Sequence, residues 1–143
     1  MTTLQLATFR EFVGSISATI TNNWPTYNTI PLPGSGGSVT GDGTSLRVTT
    51  AGYYVVVVYF DLTANSAGGD VWYILRVAGV DRVNERKGAS VVTGGRYGGT
   101  WSGMLAANDA IQLFATSTLN SPMGAQASSL TKVTFVPSPD YRI

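Results

Sequence analysis

Residues 52–60 read Gly-Tyr-Tyr-Val-Val-Val-Val-Tyr-Phe, the longest apolar run in the sequence. Its β-branched and aromatic residues favour a β-strand, and the run is too short to span a bilayer as a helix. Successive side chains of a strand point to opposite faces, so Val56 and Val58 share one face while Val55 and Val57 share the other. Both faces are apolar, and both therefore need to be covered.

Two apolar faces are unusual for a strand of an antiparallel sheet, in which one face normally lies on the core and the other in water. Helices cover both faces in parallel α/β proteins, but this sequence has few credible helices. A neighbouring copy of the chain is the remaining cover. The run therefore predicts a β-fold and an oligomer together.

The composition limits the classes of function. Of the 143 residues only 12% are charged, about half of the roughly 25% that is usual, so the surface is built from small polar residues or is partly hidden by partners. A net charge of +1 gives no electrostatic reason to expect nucleic acid as a partner. The sequence has no cysteine and no histidine, which excludes disulfides, Ser-His-Asp triads and histidine metal sites.

Short alternating segments, separated by Gly, Pro and Asn, continue on both sides of the central run. Candidate strands are residues 15–21, 27–32, 45–49, 71–77, 80–83, 100–105, 110–116 and 132–136. With no long helical period, this pattern predicts a single all-β domain, either a sandwich or a jelly roll. The spacing alone does not separate a jelly roll from an immunoglobulin-like sandwich.

The first residues differ from the rest. Residues 1–13 are rich in apolar side chains and are predicted to form an N-terminal arm or attachment segment, with residues 14–143 as the single domain. A short helix, an edge strand and a frayed terminus are the alternatives for this segment. It lacks the basic start and apolar core of a signal peptide, so no export signal is expected.

Three motifs, in order, resemble C1q and tumour-necrosis-factor (TNF) domains. Residues 46–55, Leu-Arg-Val-Thr-Thr-Ala-Gly-Tyr-Tyr-Val, look like the segment that enters the central inner strand of that family. Residues 75–80, Leu-Arg-Val-Ala-Gly-Val, are similar to its Leu-x-x-Asn-Gly hairpin, with Ala78 where Asn is usual. Residues 105–111 resemble its Leu-x-x-Gly-Asp step, with Asn108 in the Gly position. Residues 131–136 stand where the family has its last strand.

The resemblance implies a ten-stranded jelly-roll β-sandwich that assembles as a homotrimer, with the inner sheet facing the threefold axis. On this pattern Val55, Val57 and Tyr59 lie in the trimer interface. The other face of the same strand fills the sandwich core with Tyr54, Val56, Val58 and Phe60. Burial of each interface side chain would contribute roughly 1.5–3 kcal/mol, before the cost of association is subtracted.

No constellation for catalysis is found, so the protein is predicted not to be an enzyme and to need no cofactor or metal. A calcium site at Asp61 or Asp70 is disfavoured because the sequence has no Asp-x-Asp cluster. Three polar loops, residues 34–43, 94–99 and 119–129, are candidates for contacts with a ligand. The possible ligand-binding residues are Arg96 and Tyr97, in the second of these loops, and Trp24, in a separate loop before Pro25. Trp101 is expected in the core.

Two functions remain open. The first is a non-enzymatic trimeric structural protein of a bacteriophage virion, such as a capsid decoration or a tail or fibre-tip knob, with other virion proteins as partners. It rests on the low charge, the abundance of Thr, Gly, Ala and Val, and the absence of a collagen-like repeat. The alternative is an extracellular C1q/TNF-like module that binds a cell-surface receptor or a glycan. Neither function includes a membrane span.

Overall fold

The computed structural model describes residues 10–62, 69–89, 95–118 and 123–137. All regular structure in these ranges is β-strand, as the alternation predicts. The strands, in chain order, are β1 (Arg10–Ser15), β2 (Thr19–Ile20), β3 (Asn28–Ile30), β4 (Val39–Gly41), β5 (Leu46–Val48), β6 (Gly52–Leu62), β7 (Gly69–Val77), β8 (Val80–Ala89), β9 (Gly95–Leu105), β10 (Ala110–Ser117), β11 (Met123–Gly124) and β12 (Leu130–Val136). Within the same ranges, no helix is long and apolar enough to cross a membrane.

These strands form two antiparallel sheets. The four-stranded sheet has the order β1-β12-β6-β9. The six-stranded sheet has the order β4-β5-β10-β7-β8, with β3 also paired to β10. Strands β2 and β11 form a separate two-stranded ribbon. The resemblance implied ten strands; the two large sheets hold four and six, and the ribbon adds two more.

Strand β6 lies between β12 and β9 in the four-stranded sheet, and one of its faces supplies much of the core. The side chains on that face are at most 1% exposed: Tyr54, Val56, Val58, Phe60 and Leu62. The six-stranded sheet supplies buried partners to the same cluster, among them Leu75 of β7 and Leu113 of β10. Half of the two-faced run is thus covered within the chain, as the sequence predicts for this face.

The structure describes only residues 10–13 of the predicted N-terminal arm. Residues 10–13, assigned from the sequence to an arm, belong to β1, where Phe12 lies opposite Val133 of β12 and is only 7% exposed. The edge-strand alternative therefore describes this part of the segment. Residues 1–9 lie outside the described residues, so an attachment role for them stays a prediction.

Ala78 and Asn108, the two residues that differ from the family motifs, both have a positive φ. Ala78 has a φ of 53° and Asn108 a φ of 72°. This left-handed region disfavours most side chains and is tolerated by Asn and Gly. The motif positions at which the family uses Asn and Gly are therefore turn positions here as well, and only Ala78 carries a side chain poorly suited to its conformation.

We expect Ala78→Asn to stabilise the protein. Ala78 and Gly79 form the two-residue turn between β7 and β8, and both have positive φ, the conformation for which Asn-Gly is the favoured pair. The free energy of unfolding should rise by roughly 0.5–1 kcal/mol, measured by chemical denaturation. The matched control is Gly79→Ala, which puts a methyl group at a φ of 77° and should destabilise. An unchanged or lower stability for Ala78→Asn would contradict this account of the turn.

Candidate interface and ligand-binding residues

The outward face of the four-stranded sheet carries the predicted interface residues. Val55, Val57 and Tyr59 of β6 alternate with the core residues and are half-buried in the single chain. Tyr53, on the same face, is 39% exposed, and its cross-strand neighbour Met104 of β9 is 71% exposed. The single chain thus leaves an apolar strip along β6 in contact with water. We call this surface the β6 face.

Polar residues frame the β6 face without covering it. Lys132 and Thr134 of β12 lie opposite Val57 and Val55. The Glu11 carboxylate accepts a hydrogen bond from the Thr134 hydroxyl at 3.3 Å and lies 3.4 Å from the Lys132 ammonium. An exposed ion pair of this kind contributes little to stability. The β6 face therefore combines an apolar centre with a neighbouring strip of polar side chains on β12.

A cleft of about 310 Å³ opens beside the β6 face, between β8 and β9. On its wall, the Tyr73 hydroxyl donates a hydrogen bond to Glu85 at 2.6 Å. Burial, with a further contribution from Glu85, raises the pKa of Tyr73 to about 12. The phenol therefore stays protonated near neutral pH and is no base or nucleophile.

Arg96 is anchored at the rim of the same cleft. Its guanidinium donates two hydrogen bonds to the Asp61 carboxylate, at 2.7 and 3.0 Å, and lies 4.3 Å from the centre of the Tyr59 ring. The hydrogen bonds from Arg96 hold the pKa of Asp61 below its ordinary value. Asp61 and Arg96 are 35 residues apart in sequence, so no local pattern reveals the pair. The pair positions a cation over a predicted interface residue.

Two sequence predictions about this region are wrong. Arg96 and Tyr97 were assigned to a loop at residues 94–99, but residues 95–105 form β9. Tyr97 is not an exposed ligand-binding residue: it is 1% exposed and its ring stacks on Phe60 at 5.4 Å. The physical reason is the pairing of β9 with β6, which places Tyr97 directly opposite Phe60 on the core side.

The glycines that suggested a loop serve close packing instead. Gly98 has a φ of 140°, and a side chain there would collide with the carbonyl oxygen of Val58 on β6. Of the other predicted ligand loops, residues 34–43 include strand β4, and the segment 119–129 includes strand β11. Residues 119–122 of the latter lie outside the described residues.

Trp24 is exposed, as predicted, but it is not isolated. It is 45% exposed, and its ring stacks on Trp72 of β7 with the ring centres 4.0 Å apart. No local sequence pattern indicates this contact between residues 24 and 72. Trp101 is half-buried and packs against the core cluster, as expected.

The two carboxylates considered for calcium are engaged by arginines. Asp61 binds Arg96, and Asp70 lies 2.7 Å from Arg86. Within residues 10–62, 69–89, 95–118 and 123–137, no group of three or more potential metal-ligating side chains is present. The disfavoured calcium site thus gains no ligand cluster in this part of the chain.

Comparisons with known proteins identify the fold. No protein-family model matches the chain, and no curated protein matches it in sequence. The crystal structure of murine APRIL at pH 8.0 is similar, with a TM-score of 0.61 and 10% identity over 90% of this chain and 100% of that chain. The pH 5.0 structure of murine APRIL gives a TM-score of 0.61 at 8% identity, with the same two coverages of 90% and 100%.

A further solved structure, dimeric latent PorU from Porphyromonas gingivalis, has a TM-score of 0.50 at 11% identity and covers 89% of this chain but 12% of that chain. Murine APRIL is a TNF-family jelly roll. The C1q/TNF-like fold expected from the three motifs is therefore confirmed, and identities this low establish the fold alone.

The Asp61–Arg96 pair predicts a specific acid response. A carboxylate whose pKa is lowered in the folded state stabilises the fold at pH values above its ordinary pKa of about 4, and this stabilisation is lost as the pH falls through the folded value. Asp61→Asn should therefore cost about 1 kcal/mol at neutral pH and flatten the loss of stability below about pH 4. Urea denaturation at a series of pH values measures both effects.

Asp81→Asn is the matched control, because Asp81 pairs with Arg76 in an exposed salt bridge on the other sheet. This variant should keep the acid response of the parent protein. If Asp61→Asn and the parent lost stability in parallel on acidification, the ion pair would not have the role assigned to it.

Proposed function

We propose that the protein is a homotrimeric, non-enzymatic binding module with a TNF-like fold, in which the β6 faces of three copies pack around a threefold axis. The observation that carries this proposal is the apolar strip of β6, which the single chain leaves half-exposed on a sheet whose other face is the core. An apolar surface of this extent promotes aggregation unless a partner covers it.

Burial of the three predicted residues alone is not enough to stabilise a trimer. Val55, Val57 and Tyr59 are already half-buried, so each gains about half of the roughly 1.5–3 kcal/mol of full burial. Summed over three subunits, this gain is on the order of 10 kcal/mol, which is comparable to the cost of association. The exposed Tyr53 and Met104 must therefore also be buried for the trimer to be stable.

The role as a binding module follows from what such a trimer would present. With the β6 faces turned inward, the outward face of the six-stranded sheet and the loops remain accessible to a receptor or a glycan outside the cell. The likeness to murine APRIL, a TNF-family ligand, supports this role. The Asp61–Arg96 pair and the nearby cleft would lie at the border between neighbouring subunits, since both adjoin Tyr59.

A bacteriophage virion role stays a prediction from composition, favoured by the 12% share of charged residues. Peptide mass spectrometry of purified particles from a host that carries the gene tests it. The protein should be found in the particles; its absence from virions would remove this role and leave the extracellular module.

Light scattering coupled to gel filtration tests the trimer. The purified chain should have three times the mass of its 15.1 kDa subunit. Val57→Asp should dissociate it, because a carboxylate at the centre of the β6 face is costly to bury. The subunit itself should tolerate the change, since residue 57 lies opposite Lys132. Circular dichroism should show the β-fold unchanged.

Val80→Asp is the matched control. Val80 is also an outward valine on a strand, but it is more exposed than Val57, at 48%, and it lies beside the β7–β8 turn on the other sheet. This variant should remain trimeric. A parent protein that is monomeric at micromolar concentration, or a Val57→Asp variant that is still trimeric, would contradict the proposed assembly.

A further inference from the structure

We propose that the outward face of the six-stranded sheet carries a sugar-binding platform centred on Trp24. This inference rests on the proposed binding-module function and gives it a ligand class: a neutral pyranose sugar, free or at the end of a glycan. We call the site the Trp24 platform, and it consists of Trp24, Tyr27, Trp72, Asp70 and Arg86.

The stack at the centre of the platform is held by several contacts. The Trp24 and Trp72 rings lie 4.0 Å apart with an interplanar angle of 17°. Trp72 stands on β7 between Thr116 of β10 and Arg86 of β8, its two cross-strand neighbours. The backbone N–H of Trp24 donates a hydrogen bond to the carbonyl of Ser117 at 3.3 Å, which ties the loop to β10. Trp24 is therefore held in place from both its ring and its backbone.

The position of Trp24 leaves a broad apolar surface open. One face of its indole is covered by Trp72, yet the residue is still 45% exposed. Trp24 therefore keeps accessible surface beyond the part that the Trp72 stack covers. Tyr27 stands beside it, with ring centres 6.4 Å apart and planes at 70°, and so forms an angled wall. An indole used only as an anchor for its loop would be expected to bury more of this area.

The polar groups around the stack select the ligand class. The Arg86 guanidinium lies 5.1 Å from the centre of the Trp72 ring and pairs with Asp70 at 2.7 Å. Asn23, next to the platform, is exposed. This rim offers hydrogen-bond donors and acceptors, but the cation and the carboxylate cancel in charge. It therefore favours neither phosphates and nucleic acids nor cationic ligands.

A pyranose matches both parts of the platform. Its axial C–H groups make one face of the ring apolar, which suits an open indole, while its equatorial hydroxyls donate and accept hydrogen bonds at the rim. Pre-formed aromatic surfaces with a few placed polar groups are typical of small-molecule sites. The surface is also available in the proposed trimer, since it lies on the sheet opposite to the β6 face.

The experiment uses the full chain on an array of printed glycans, followed in solution by the methyl glycosides of glucose, galactose, mannose and N-acetylglucosamine. The parent protein should bind a subset of glycans, and Trp24→Ala should weaken binding at least about tenfold. Trp101→Phe, which changes a half-buried indole on the other sheet, is the matched control and should bind as the parent does. Both variants should keep the mass of the parent in light scattering.

A measurement on the parent protein guards against misfolding of Trp24→Ala. Acrylamide quenching of tryptophan fluorescence reports the accessibility of the exposed indole, and saturating methyl glycoside should reduce it. Failure of the parent protein to bind any glycan would overturn the platform. Glycan binding that is neither weakened by Trp24→Ala nor accompanied by reduced quenching would overturn it as well. A trimeric mass alongside that result would leave the proposed assembly intact, whereas a monomer that binds glycans would overturn the assembly and keep the platform.

Discussion

The structure depends on one strand that is apolar on both faces. Strand β6 lies between β12 and β9, and its inward side chains meet those of the six-stranded sheet in a core from which water is excluded. Its outward side chains are only partly buried among the residues that the structure describes. Side chains alternate between the two faces of a strand, so β6 cannot place all of its apolar residues on the core side. In the proposed assembly, the β6 faces of two further copies of the chain supply the cover for this outward face.

The two sheets thus have separate roles in the proposed assembly. The four-stranded sheet brings subunits together through apolar burial, while the six-stranded sheet turns outward and carries aromatic side chains stacked with arginines, among them Trp72 with Arg86 and Phe114 with Arg76. Such pairs leave much of their surface accessible and suit recognition better than core packing. The Asp61–Arg96 pair lies at the border between these two surfaces. It holds the Arg96 guanidinium over Tyr59, where the β6 face meets the cleft.

The parts of the fold that follow from local pattern could be predicted from the sequence. The alternation in β6 gave its core residues, and the motifs around Ala78 and Asn108 fell on the turns that the TNF-like fold requires. The site was harder to predict, because its contacts join residues distant in sequence, as in the Asp61–Arg96 pair and the Trp24–Trp72 stack. Tyr97 was misassigned for a different reason: glycines usually mark turns, but here they allow β9 to lie close against β6.

The central claim, that other copies of the chain cover β6, is tested most directly by thiol accessibility. The chain has no cysteine, so Val57→Cys introduces a unique reactive group on the β6 face, and Val80→Cys introduces one at an exposed turn. At concentrations where the protein is assembled, a thiol-specific reagent should label Cys at position 80 rapidly and Cys at position 57 many times more slowly. Dissociation should raise the labelling rate at position 57 and leave the rate at position 80 unchanged. Equal labelling rates in the native protein would show that water reaches the β6 face, and would contradict the account.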